Sequence, residues 1–226
     1  MTMYQTPFPT ALNAAVSESA EPQSPHRSAS CVFKRILDII GSLVGLTILA
    51  LVFIPLAIAI KLDSPGPILY SQERYGLQGR TFRMRKFRSM VPNADALKSQ
   101  VTNEASGLIF KNKQDPRVTR VGKILRSTSL DELPQFWNVL VGEMSLVGTR
   151  PPTADEVALY NERHWKRLDV KPGLTGEWQI SGRSSIKDFE EIVNLDLRYQ
   201  SQWHPFYDLI VICKTIYVLV ARVGAF

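Results

Sequence analysis

Two adjacent carboxylates, Asp131 and Glu132, follow the hydroxyl run Ser127 to Ser129 and precede an apolar stretch. Residue types in that order mark a helix N-terminus. There, unpaired N–H groups and the helix dipole favour negative charge. Both carboxylates are therefore expected to stay ionised at neutral pH, able to hold a hard cation or to supply a nucleophile beside one. Ser129 and Glu132 have capping-box spacing, but that register places Pro134 where a backbone N–H is needed. With Asp131 as the N-cap, Pro134 falls in the tolerated first turn. A capped surface helix with no chemistry is spelled the same way, so the surrounding cations carry the weight.

Those cations fall in four places. From Arg74 to Arg88 there are six Arg or Lys and no acidic residue. Within that stretch Lys86 and Arg88 either grip anionic lipid or face phosphate oxygens. Arg150 and Pro151 end a strand-like run from Met144, where Gly148, one guanidinium and rigid prolines suit a stiff loop facing a phosphate; an ordinary turn is the alternative. Arg183, after Gly182, is a second candidate of that kind. Arg126 stands just before the acidic pair.

Positioning these residues requires an α+β, helix-rich chain. Residues 1–30, rich in Ser, Pro and Ala, are expected to form a flexible tail, and nothing in them resembles a secretory signal. Residues 31–62 are expected to be a membrane-inserted helix. From Ile39 to Ile60 there are 22 residues without a charge, enough to cross the hydrocarbon core at ~1.5 Å per residue. Cations flank both ends, which places both flanks on the cytoplasmic side. A re-entrant helix kinked at Pro55 reconciles that with the apolar length; a spanning helix is the alternative. Residues 63–226 form a compact cytosolic catalytic domain with strands at Ile68–Tyr70 and 81–87 and a short helix over 94–101. A helix after the acidic pair ends at Gly142, and another runs from the capping box Thr153–Glu156 to Pro172. The stretch Gly173–Gly176 is expected as a loop, Trp178–Ile180 as a strand, and Ile186–Gln200 as an amphipathic helix. A C-terminal helix over 206–222 is too short to span and either lies in the membrane interface or packs into the core.

Composition narrows the partners. The 226 residues carry 27 Lys and Arg against 21 Asp and Glu, a net charge of +6, which points to an anionic partner. Two cysteines and three histidines show no metal-ligand spacing, so zinc chemistry is not expected. Nucleic acid accounts for the charge but leaves the apolar helix without a role, and no groove-reading module is visible.

Taken together, Lys34–Asp38, Lys86–Met90, Arg126 through Asp131–Gln135, Gly142–Ser145, Arg150–Pro151, Lys171–Gly176 and Ser181–Arg183 resemble the bacterial sugar transferases, the monotopic phosphoglycosyl transferases that start exopolysaccharide, O-antigen or glycoprotein glycan synthesis. The resemblance runs from about Phe33 to the C-terminus and keeps motif order. It implies transfer of sugar 1-phosphate from a nucleotide diphosphate sugar, expected to be a UDP-sugar, to polyprenyl (undecaprenyl) phosphate at the cytoplasmic face of the bacterial inner membrane, with Mg²⁺. By the same resemblance Asp131 is the nucleophile and a metal ligand, and Glu132 its metal or proton-handling partner. Lys86, Arg88, Arg126, Arg150, Pro151 and Arg183 are the expected substrate contacts. Two positions depart from the family pattern: Ile54 precedes Pro55 where a serine is usual, and Thr149 stands where a proline opens the Pro-Arg-Pro loop. Rival readings are a non-catalytic membrane scaffold for polysaccharide assembly and a nucleotide-sugar hydrolase. A homo-oligomer is an open alternative to a monomer.

Overall fold

The computed structural model describes residues 25–182 and 185–221. Arg27–Ser30 is a short helix (α1), so the expected tail is already ordered there. The His26 side chain accepts from Ser28 N, and Arg27 Nη2 donates to Trp203 O at 2.6 Å. Residues 1–24 of that tail lie outside the described residues.

Helix α2, Val32–Asp63, is 32 residues long, and Pro55 sits inside it without ending it. It is apolar and long enough to cross a membrane. One stripe of it packs against the rest of the chain. Near its start, Asp38 Oδ1 accepts from Leu146 N and from Ser145 Oγ, both at 2.8 Å. Lys34 donates to Asp208 at 2.6 Å and to Val147 O at 2.8 Å. Near its end Ile60 joins Phe87 and Leu125 in a small core, with Leu49, Phe53 and Leu56 packed on it. The opposite stripe, including Ile40, Val44, Leu51, Ile54 and Ile58, is exposed. Gly41 and Gly45 allow this docking, because a Cβ there would come within 2.5 Å of Leu146 and 2.4 Å of the Phe136 ring.

Strands β1 (Leu69–Tyr75) and β2 (Thr81–Phe87) form an antiparallel hairpin, with Leu69 opposite Phe87 and Tyr75 opposite Thr81. Strand β1 runs further than its apolar start suggests, because pairing with β2 holds the polar residues beyond Tyr70. Between Val91 and Arg117 the backbone is mostly turns, with a single 3₁₀ turn at Lys98–Gln100 in place of the expected short helix.

Helix α3 (Arg120–Thr128) ends at Ser129, whose φ of 57° is left-handed. A 3₁₀ turn, Leu130–Glu132, follows, and then α4, Gln135–Val141, closed by Gly142 with φ 91°. The C-cap at Gly142 is the one expected. Strand β3 (Ser145–Val147) pairs in parallel with β4 (Gly173–Thr175), so the expected loop at 173–176 is a strand for most of its length. Its glycines are a packing requirement: a Cβ on Gly173 or on Gly176 would lie 2.1 Å from the backbone of Gly148.

The Thr153–Glu156 capping box is present, yet its helix breaks into α5 (Ala154–Val157), α6 (Glu162–Trp165) and a 3₁₀ turn at Lys166–Asp169. Asn161 starts α6 with a cap of its own, and such local side-chain bonds compete with helix continuation. The expected strand at 178–180 is helical: α7, Glu177–Ile180. Helix α8 (Phe189–Gln202) follows, and α9 runs Pro205–Val220. Helix α9 divides its faces: Asp208 and Val211 are buried, whereas Phe206, Leu209, Ile210, Ile216, Tyr217 and Leu219 are exposed. The main core gathers Phe82, Met84, Val139, Met144, Leu146, Val147, Tyr199, Trp203 and Val211, drawing β2, β3, α4, α8 and α9 onto one centre.

Candidate active site

The hairpin register builds one wall of a cavity. In a strand pair, residues two apart and their cross-strand partners share a face. Met84 and Lys86 therefore share a face with Arg74, which lies opposite Phe82. All three line a cavity of about 350 Å³. The other walls come from Arg126 and Glu132, from Arg150 and Pro151, from Ile109–Lys111, and from Gly173, Leu174, Trp178 and Gln179. Its lining holds five cationic side chains, Arg74, Lys86, Lys111, Arg126 and Arg150, against the single carboxylate Glu132. A polyanion is the ligand such a surface favours.

The acidic pair reaches this place differently from the helix N-terminus expected. Ser129 turns the chain out of α3 in a conformation a non-glycine residue adopts at a cost, and the pair lies in the short 3₁₀ turn beyond it. Pro134, not Asp131, occupies the N-cap of α4. The Ser129 side chain makes no cap bond to the turn, and no capping box forms. Glu132 Oε1 accepts from Lys86 Nζ at 2.9 Å. Asp131 is 7% exposed and, unlike Glu132, is not among the residues lining the cavity. Burial pushes its carboxyl above the usual range; Lys86 pulls it back down, the Glu132 charge adds to the rise, and Arg126 opposes it. The helix-capping position expected for Asp131 is thus corrected, and burial raises its carboxyl where a helix terminus would lower it.

The cations are held in place by neighbours. Arg126 Nε donates to Ser89 Oγ at 3.0 Å. Arg150 Nη1 donates to both oxygens of Glu156, at 3.1 and 3.0 Å. The same Glu156 closes the capping box of α5, so one carboxylate caps a helix and fixes a guanidinium at the cavity. Arg74 donates to Pro151 O at 3.0 Å and to Gln72 Oε1 at 2.7 Å, which ties Pro151 to the hairpin. Burial, with Arg150 nearby, lowers the Arg74 guanidinium to about 10. Burial likewise lowers Lys111 to about 8, aided by Arg150 and Lys187.

Arg88 is not among these groups. Its guanidinium is buried and donates to Ser64 O and Pro65 O at 2.7 Å each and to Ile60 O at 3.3 Å. It closes the C-terminal end of α2 in place of the expected phosphate contact, since the last carbonyls of a helix lack partners and attract a cation. Arg183 lies outside the described residues. Two lining residues had little signal in sequence. Lys111 sits in a polar stretch without periodicity, and Arg74 is indistinguishable by type from the other cations of its strand pair.

A model of the family described as bacterial sugar transferase matches residues 29–222. The chain belongs to that family. It is 49% identical over 202 residues to the galactosyl transferase CpsE of Streptococcus agalactiae, covering 88% of this chain and 45% of that protein. It is 40% identical over 206 residues to the undecaprenyl-phosphate galactose phosphotransferase of Salmonella typhimurium, covering 88% and 43%. With the exopolysaccharide production protein ExoY of Sinorhizobium fredii it shares 37% over 201 residues, 86% of this chain and 88% of that one. The chain thus spans under half the length of the first two relatives and most of the third. The matched residues take in α2, the hairpin, the acidic turn and the whole cavity lining.

Proposed function

We propose that this family member transfers sugar 1-phosphate from a nucleotide diphosphate sugar, a UDP-sugar by likeness to relatives named for UDP-sugar substrates, to undecaprenyl phosphate, at the start of exopolysaccharide or related glycan synthesis. The observation that carries this reading is the cavity lined by five cations and one carboxylate, with the covered Asp131 beside it. A diphosphate cannot approach a carboxylate unless its charge is offset, and Lys86, Arg126 and Arg150 supply that offset.

In the first half-reaction an Asp131 oxygen forms a bond to the sugar-bearing phosphorus. The bond from that phosphorus to the bridging oxygen breaks, and the nucleoside monophosphate leaves with the electron pair. In the second, a phosphate oxygen of the polyprenyl acceptor attacks the same phosphorus and Asp131 departs as a free carboxylate. Lys86 and Arg126 favour the ionised nucleophile that burial opposes. Mg²⁺ is held in many phosphoryl-transfer sites by one or two carboxylates plus the substrate's phosphates. Asp131 and Glu132 fit that donor set, and the ion when bound adds charge neutralisation on the diphosphate.

Membrane placement follows from the same chain. Both ends of α2 pack on one body, which supports a re-entrant course that keeps the catalytic domain on the cytoplasmic face of the inner membrane. A non-catalytic scaffold would have no use for a cavity of this charge.

Labelled nucleotide sugar given to the purified protein in lipid without acceptor tests the reading. The expected outcome is a phosphosugar adduct, absent in Asp131→Asn, with turnover reduced at least ~10³-fold in that variant, as for loss of a covalent nucleophile. Steady acceptor-free release of sugar phosphate identifies a hydrolase instead. Full turnover in Asp131→Asn rejects the covalent route.

A further inference from the structure

Among the described residues, the buried side-chain atoms without a hydrogen-bond partner are Arg74 Nε, Arg88 Nε, Trp178 Nε1, Gln179 Oε1 and Asp196 Oδ1. Three of these five belong to residues lining the active-site cavity, Arg74, Trp178 and Gln179. A buried polar atom without a partner is destabilising, so three around one cavity call for an occupant. Two are N–H donors and one is a carbonyl acceptor.

They also stand in a different chemical setting from the acidic turn. Arg74 is held through its other nitrogens by Pro151 O and Gln72 Oε1, which leaves Nε as the group to be satisfied. Trp178 and Gln179 lie on the four-residue helix α7, with Lys111 Nζ 4.8 Å from the centre of the Trp178 ring. Both residues are half-buried, so part of each side chain reaches the cavity while the unpaired atom is covered.

Resting on the transferase reading, we propose that Trp178, Gln179 and Arg74 form a hydrogen-bonding subsite for an uncharged end of the donor. The shared chemistry is a cluster of hydroxyl, carbonyl or imide groups, carried either by the sugar or by the nucleoside. The cations Lys86, Arg126 and Arg150 recognise only charge and serve any nucleotide diphosphate sugar alike. Discrimination requires groups of fixed donor or acceptor character whose mismatch leaves them unpaired.

The test uses Trp178→Phe, which keeps a ring and removes the N–H, and Gln179→Leu, each in the Asp131→Asn protein in lipid. Calorimetry measures binding of UMP, of a sugar 1-phosphate and of inorganic diphosphate. The expected result is a five- to fiftyfold loss of affinity for UMP or for the sugar 1-phosphate, with diphosphate binding unchanged. A loss confined to UMP assigns the subsite to the nucleoside, and one confined to the sugar 1-phosphate assigns it to the sugar. Unchanged affinities for all three probes, or an equal loss that includes diphosphate, overturns the proposal. Adduct formation is read separately on protein with Asp131 intact, so failure of the covalent reading is distinguishable from failure of the subsite.

Discussion

At the scale of single residues, the site is governed by burial set against neighbouring charge. Asp131 is raised by desolvation and drawn back by Lys86 and Arg126, whereas Glu132 is at the cavity wall and bonded to Lys86. Two adjacent carboxylates thus occupy different environments, which suits them to different roles. Lys111 titrates at about 8, with burial the main cause and Arg150 and Lys187 adding to it. Its value lies below that of the unfolded chain, so the unfolded state binds more protons in between. Stability therefore rises with pH from about 8 toward the ordinary lysine value and is lost as pH falls back through about 8. Function moves the other way, because the cavity loses one cation over that rise. The donor KM is expected to increase severalfold as pH passes about 8, and Lys111→Arg, which stays charged, is expected to flatten the profile. Identical KM profiles for the two proteins count against a role for Lys111 in donor binding.

At the scale of elements, the hairpin and the end of α2 show how one run of cations is divided. Lys86 points along the cavity face of β2, while Arg88, two residues on and beyond the strand's end, closes α2. Arg88→Ala removes its bonds to the carbonyls of Ile60, Ser64 and Pro65, and bonds to charged groups contribute about 1.5–3 kcal/mol each. A loss of at least ~3 kcal/mol is expected from those bonds, read as a lower melting temperature, with the donor KM of the folded fraction unchanged. Arg88→Lys is expected to recover only part of that stability, since an ammonium cannot fork between carbonyls. A raised KM at unchanged stability would restore Arg88 to the substrate contacts. The β3–β4 pair is an element of the same kind. Its glycines permit a backbone approach that a Cβ, 2.1 Å from Gly148, would block, and Arg150 and Trp178 on either side of the pair line the same cavity.

At the scale of the whole molecule, the exposed stripe of α2 and the exposed face of α9 present large apolar side chains to the surroundings, as a membrane-bound protein requires. Both flanks of α2 are expected on the cytoplasmic side, so a label at the N-terminus should be reached only from that face of intact vesicles. Access from the periplasmic face alone would show a spanning helix. Much of this was legible in the chain itself. Long uncharged stretches, capping boxes, glycine stops and the order of short motifs are local or compositional signals, and they identified the apolar helix, strand β2, the cap at Gly142 and the family. What the chain could not convey depends on contacts between distant segments. Trp178–Ile180 is helical, with Gly176, just past strand β4, as the N-cap. Arg88 serves a helix end because α2 returns its last carbonyls to the hairpin. Asp131 is raised because the fold buries it, and desolvation, unlike spacing, is a property only of the folded chain.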